Sequence, residues 1–341
     1  MLKSGAESTP AALSPARRGT THQDESGRTR LDILLLQDLA DDARAWLAAR
    51  HTVHYRPDLL HDTAQLHAQL ASAQALVAPP EVMINRPLLD CAPHLVAVGR
   101  MHDDSETIDL AACHRRGVRV VLAASTTARA RAEYLLFSLL HLFRTGGGAL
   151  PCAPGARDGP GREINDSVIG LFGLTPPAQA LATMLVPLGA RVVGYDPAVH
   201  RQAELWQRLG VQPLTLAGML KMADAVSMQL SYASRYRGLV NARVLGACKP
   251  GQLWTCISRP SLFDLQALAA RLQSGRIGGF MIDSDDPQLT APDSPVRPGP
   301  RVTVTPGLAA HTQESRLRGS WYLVDRLHDV LSAREKRAAA A

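Results

Sequence analysis

Residues 167–178 read Ser-Val-Ile-Gly-Leu-Phe-Gly-Leu-Thr-Pro-Pro-Ala, an apolar run that stops at a glycine and passes into a segment whose Ala178, Leu181, Ala182 and Leu185 recur at helical spacing. A continuous apolar run of this length fits a strand buried on both faces, the kind found in parallel sheets covered by helices. The next strand, residues 191–195, ends in Asp196, 23 residues past Gly173. Strand, glycine turn, helix, strand and acid is the order in which a doubly wound α/β fold builds a dinucleotide pocket: backbone N–H groups face the pyrophosphate and the acid takes the ribose hydroxyls. A complete turn reads GxGxxG or GxGxxA; here it is GxTxxA, with Gly173, Thr175 and Ala178 as the candidate cofactor contacts. Thr175 sets a side chain where close approach is wanted, and Pro176 and Pro177 remove two N–H donors from the first helical turn. The same letters also fit a plain strand-to-helix turn with proline at its first helical position.

The rest of the chain keeps the rhythm. Strands at residues 33–36, 75–78, 95–98 and 118–122 alternate with helical patterns at 41–49 and 108–114. A long helix over 128–144 then ends at Gly146, Gly147 and Gly148, and strands at 225–230, 253–257, 279–282 and 301–305 follow. This predicts two α/β lobes: residues 31–125 with a returning C-terminal helix at 310–335, and residues 126–309. Residues 1–29 lack apolar periodicity and read as a flexible tail, while five prolines between 287 and 300 argue against regular structure there.

Composition removes several classes of function. No apolar stretch approaches the roughly 20 residues of a membrane span, and no leader pattern opens the chain, so a cytoplasmic location with no membrane partner is expected. Five cysteines without a CxxC pair signal neither a disulfide frame nor a metal site. The net charge of +6 comes from 37 scattered basic residues with only 4% aromatics, which is no nucleic-acid stripe.

With these elements in place, the chain over about residues 31–333 resembles the D-isomer-specific 2-hydroxyacid dehydrogenase family. The similarity is carried by His94 to Arg100 with Thr107 to Leu110, Ala132-Glu133, Ala223 to Ser227, Gly238 to Asn241, Lys249-Pro250-Gly251, Ser258-Arg259, Asp264, Gly275-Arg276-Ile277, Asp283 and Thr305-Pro306. The resemblance implies a Rossmann-type NAD-binding domain beside a flavodoxin-like substrate domain, a homodimer built on the long linking helix, and hydride exchange between NAD and the CH–OH group of a small 2-hydroxy acid. It assigns substrate binding to Arg259 and cofactor contacts to Asp196 and Asp283. Asp196 favours NAD, because its charge repels a 2'-phosphate.

Three departures bear on catalysis. The family's proton-donating histidine falls at Gly307, and glycine has no group to donate; His311 lies four residues on. The acid that partners that histidine is matched only by Asp286 before Pro287, on a shorter spacer. The turn that cradles the substrate carboxylate reads Met101-His102-Asp103-Asp104, whose two carboxylates oppose an anionic substrate by about 1 kcal/mol each in a wet site. Two functions remain open: a dehydrogenase with Arg259, Asp286 and His311 as its catalytic candidates, or a lapsed homologue acting as an NAD-sensing or protein-binding module.

Overall fold

The computed structural model describes residues 22–23, 29–30, 32–101, 107–147, 160–230 and 234–339. The chain divides into two compact units, Met1–Ala123 with Ser320–Ala341, and Ala124–Gly319.

In the first unit β1 (His22–Gln23) pairs antiparallel with β2 (Thr29–Arg30), so part of the segment expected to be a tail carries a short ladder. There follow β3 (Asp32–Leu35), α1 (Asp41–Ala48), β4 (Thr52–Tyr55), α2 (Thr63–Leu70), β5 (Ala75–Val77), α3 (Arg86–Asp90), β6 (Ala97–Arg100), α4 (Leu110–Arg115) and β7 (Arg119–Leu122). Five of these strands form a parallel sheet in the order β4-β3-β5-β6-β7. Alternation along each strand splits the core. Leu34, Leu76 and Val98 pack with Leu66, Leu70, Leu88 and Leu89 on one face, and Ile33, Leu35, Val77 and Val121 pack with Leu323, Leu327 and Leu331 on the other. Asp62, Asn85 and Asp109 start α2, α3 and α4 by accepting a hydrogen bond from a first-turn N–H.

The second unit opens with α5 (Ala128–Thr145), β8 (Val168–Phe172), α6 (Pro176–Leu185), β9 (Arg191–Tyr195), α7 (Glu204–Arg208), β10 (Gln212–Pro213), α8 (Leu216–Met222) and β11 (Ala225–Met228). It continues with α9 (Ala242–Gly246), β12 (Gln252–Cys256), α10 (Leu265–Gln273), β13 (Ile277–Asp283), α11 (Pro287–Thr290) and β14 (Val302–Thr305). All seven strands are parallel, in the order β10-β9-β8-β11-β12-β13-β14. The order reverses between β8 and β11, the switch point at which doubly wound sheets bind ligands. Residues 287–290 correct the expectation of irregular chain. Pro287 sits at the first helical position, where its missing N–H costs nothing, and the Asp286 carboxylate accepts from Gln288 N–H to cap the turn. The last helix, α12 (Gln313–Ala339), begins in this unit and from Ser320 belongs to the first. Among the described residues no helix is long and apolar enough to cross a membrane.

At the amino end of this sheet Asp224, just before β11, is buried and ties three segments together. Lys249 Nζ lies 2.6 Å from its Oδ1, Arg162 Nη2 3.3 Å from the same atom, and Val168 N–H donates to Oδ2 at 2.9 Å. Burial raises the Asp224 pKa, but the hydrogen bonds from Lys249 and Val168 and the charge of Arg162 outweigh it and hold the carboxyl below the usual carboxylate range. A folded-state value below the unfolded one adds stability that is fully present above about pH 4 and is lost as pH falls through the folded value. Asp224→Asn should therefore cost about 2 kcal/mol at pH 7 in urea unfolding, with the gap to wild type narrowing only as pH falls below about 4.

Candidate active site at the carboxyl edge of the second sheet

The strand ends are in step. Phe172 pairs with Tyr195 and with Met228, Met228 with Cys256, Cys256 with Ile282, and Asp283 with Thr305. The residues that leave these strands, Gly173, Asp196, Gln229, Arg259, Asp283 and Gly307, therefore emerge along one edge.

Gly173 takes φ +97°, and a Cβ there would sit 2.8 Å from Leu230 N and Cα and 3.0 Å from Gln229 C. The turn is thus pressed against the chain leaving β11, and only glycine meets both conditions. Asp196 braces it from the other side: Leu174 N–H donates to Oδ2 and Ala198 N–H to Oδ1, both at 2.7 Å. Each oxygen keeps a second lone pair for a ribose hydroxyl.

Thr175 does not stand in the way as the sequence had suggested. Its hydroxyl turns onto the protein and donates to the Gln229 carbonyl at 2.9 Å. Gln229, which sequence reasoning missed, is buried and locks the turn: its Nε2 donates to the Gly173 carbonyl at 2.9 Å and its Oε1 accepts from Ser227 Oγ at 2.8 Å. A polar residue closing the otherwise apolar end of a central strand was the available signal. Pro176 and Pro177 occupy the first two positions of α6, so Ala178, fully buried at the third, carries the first helical N–H. These residues fit a bound dinucleotide: a turn without a Cβ at its tightest point, a carboxylate at the end of β9, and a helix start with a reduced set of donors.

At the far strands Asp283 is an acceptor for three groups. Thr305 Oγ1 donates to its Oδ1 at 2.6 Å, Leu308 N–H to the same atom at 2.7 Å, and Ala309 N–H to Oδ2 at 2.9 Å. Because the Thr305 proton is committed to Asp283, the Tyr134 hydroxyl of α5, 2.6 Å away, donates to Thr305 in turn. Burial pushes the Tyr134 phenol up to about 12, with the nearby Asp283 charge adding to it, so this hydroxyl remains a donor. The network fixes the loop that carries Gly307, whose φ of +69° leaves open space where a Cβ would be.

The proposed catalytic side chains are more dispersed. Arg259 is exposed just beyond β12, between buried Ser258 and Pro260. Asp286 is engaged as the α11 cap, and His311 is exposed where the turn after Gly307 ends. His102, Asp103 and Asp104 lie outside the described residues. Cys256 beneath the edge is buried and its thiol is pushed up to about 12 by that burial, too high for a nucleophile. Among the described residues no group of three His, Cys, Asp or Glu is placed to hold a metal ion.

A switch point flanked by a glycine turn and an acid at the next strand end is the arrangement of a Rossmann-type dinucleotide-binding domain. Residues 151–309 match the family profile described as D-isomer specific 2-hydroxyacid dehydrogenase, NAD binding domain. The chain is 31% identical over 310 residues to the (S)-sulfolactate dehydrogenase of Chromohalobacter salexigens, covering 89% of this chain and 99% of that one. It is also 31% identical over 269 residues to the D-3-phosphoglycerate dehydrogenase of Mycobacterium tuberculosis, there spanning 49% of the relative's length and 75% of its own. Among solved structures it superposes on a glyoxylate reductase from Paecilomyes thermophila with a TM-score of 0.74 at 17% identity, covering 88% of this chain and 94% of that one. The holo form of Rhodotorula graminis D-mandelate dehydrogenase gives 0.74 at 21% identity, covering 87% and 94%. The chain belongs to the D-isomer specific 2-hydroxyacid dehydrogenase family.

Proposed function

We propose that the protein is a cytoplasmic, NAD-dependent oxidoreductase that acts slowly on the CH–OH group of a small anionic 2-hydroxy acid, or on the matching 2-keto acid. The observation that carries this reading is the placement of Arg259 beyond β12 on the same strand-end edge as Gly173 and Asp196. When bound, NAD supplies the hydride-exchange chemistry. Asp196 would hold the ribose hydroxyls, and its charge selects against a 2'-phosphate. Arg259 would take the substrate carboxylate with two parallel N–H bonds. Position 307 offers no proton, and Asp286 accepts the capping bond of α11 at Oδ1, so the proton for the carbonyl oxygen comes from His102, His311 or water. The similarity to a sulfolactate dehydrogenase places sulfolactate in the substrate panel beside glyoxylate, hydroxypyruvate and pyruvate.

Gly307 favours a second reading, an NAD-sensing or protein-binding module without turnover. Fluorescence titration with NADH followed by keto-acid assays separates the two. The enzyme and NAD-sensing readings expect NADH to bind about 1–3 kcal/mol more weakly than at a complete glycine fingerprint, because two N–H donors are missing, whereas a protein-binding module need not bind it. The enzyme reading further expects measurable NADH consumption that Arg259→Ala removes while NADH binding persists. A wild-type protein that does not bind NADH would overturn the enzyme and NAD-sensing readings and leave the protein-binding module.

The chain is also proposed to act as a two-fold dimer through α5. Phe137 (52% exposed) and Leu140 (43%) stand out from that helix, and Val186 and Leu188 are exposed just past α6, which α5 packs against. Light scattering should give a dimer at micromolar concentration, and Phe137→Asp with Leu140→Asp a monomer.

A further inference from the structure

The outer edge of the first sheet borders a cavity of about 520 Å³ that neither the family assignment nor the proposed reaction uses. One wall is β7 itself, all four residues from Arg119 to Leu122 with Val96 beside them; the other is a single stripe of α12 formed by Tyr322, Arg326, Asp329, Val330, Ala333 and Arg334. Among the described residues β7 pairs only with β6. Arg119 N–H donates inward to the Val96 carbonyl, and Ala123 N–H to that of Arg100. In a parallel ladder this leaves the N–H and C=O of Val120 and Leu122 directed outward, along the cavity.

Side-chain parity then sets the chemistry. Val121 packs with Leu323, Val324 and Leu327 of α12, so Arg119, two residues before it, stands on the α12 face of the sheet. Arg326 and Arg334 reach the same groove from the helix. Arg334 Nη1 donates to the His94 carbonyl at 3.2 Å, and Arg326 lies 5.7 Å from the Tyr322 ring centre. Among the described residues Asp329, 3.7 Å from Arg326, is the one carboxylate lining the cavity against three guanidinium groups. A charged residue on a short edge strand usually serves to discourage pairing. Here two of the three charges come from the facing helix and lie over an apolar floor of Val96, Val121 and Val330, which is the layout of a groove that receives a strand.

We propose that β7 is a docking edge for an extended segment of a partner protein with acidic side chains at alternate positions. Such a segment adds a strand by bonding to Val120 and Leu122, and the parity of a strand turns every second side chain toward α12. Those side chains meet Arg119, Arg326 and Arg334, so they are carboxylates. The intervening ones face away from the helix and are apolar or small.

The test is fluorescence polarisation with the full-length protein and a labelled peptide Ser-Asp-Val-Asp-Val-Asp-Ser. Saturable binding is expected, weakened at least tenfold by Arg326→Glu and again by Arg334→Glu. Both residues are exposed, so circular dichroism should show an unchanged fold. Two peptides N-methylated at alternate sets of amides distinguish strand addition from simple charge attraction: one set should lose binding at least tenfold and the other should keep it. No saturable binding below 1 mM, equal binding by both methylated peptides, or full displacement by 10 mM succinate or inorganic phosphate would each overturn the proposal, the last pointing to a small-anion site.

Discussion

Gly173→Ala should weaken NADH binding by at least about 30-fold and lower stability by about 2–5 kcal/mol. Two costs add. An L-residue held at φ +97° pays roughly 1–2 kcal/mol for its backbone conformation. Its Cβ would also lie 2.8 Å from Leu230 N and Cα, and since these are backbone atoms the turn has to move, at about 1–3 kcal/mol for overpacking. Any such shift pulls on the three bonds that set the site: Gln229 Nε2 to the Gly173 carbonyl, Thr175 Oγ1 to the Gln229 carbonyl, and Leu174 N–H to Asp196. Loss of turn geometry and loss of cofactor affinity are therefore coupled. Gly238→Ala is the control, because its φ is +65° but nothing lies within 4 Å of the added methyl; it should cost only about 1 kcal/mol and leave NADH binding alone. If Gly173→Ala binds NADH within threefold of wild type, the close approach of this turn to Leu230 is not what shapes the cofactor site.

The elements that could be read in advance were those whose local sequence settles their environment. β8, β9, β11 and β12 lie inside a parallel sheet with both faces covered, so they show as apolar runs. β4 and β10 sit at sheet edges and carry Thr52, His54 and Gln212, half-buried or exposed, so no run announces them. Within the site, Asp196 was legible because the end of a strand is a local address, and Asp283 only through the family resemblance. The partners that make them work were not: Tyr134 and Thr305 are 171 residues apart, and Gln229 meets Gly173 across 56. Thr175 shows the same limit. From sequence its side chain obstructs the turn, but a hydroxyl beside a buried carbonyl donates to it, and that carbonyl is placed only by the fold. Asp286 shows the opposite case, a local role in capping α11 that competes with the distant one suggested by resemblance.

Wild-type turnover of glyoxylate, pyruvate or hydroxypyruvate should be very slow, and Gly307→His alone should raise it less than tenfold. The substitution itself is tolerable. Position 307 has open space for a Cβ, and histidine is among the residues that adopt a positive φ most readily, so a cost of about 1 kcal/mol is expected. The loop around it is held independently by the bonds of Leu308 and Ala309 to Asp283. A failure to gain activity would therefore report on chemistry and not on folding. General acid catalysis is worth about 10² to 10⁴ in rate, but only where substrate and cofactor already lie in reacting geometry. Two features work against that geometry here. Pro176 and Pro177 remove donors from the start of α6, and Asp103 and Asp104 carry negative charge in the turn that, by resemblance, receives the carboxylate. Adding Asp103→Val and Asp104→Gly to Gly307→His removes about 2 kcal/mol of repulsion at an effective dielectric near that of water, close to thirtyfold in substrate binding. The triple variant should accordingly exceed the single one by at least tenfold when NADH oxidation is followed at millimolar keto acid. If Gly307→His by itself restores more than a hundredfold, the substrate was already well held and the missing proton donor alone limited the rate.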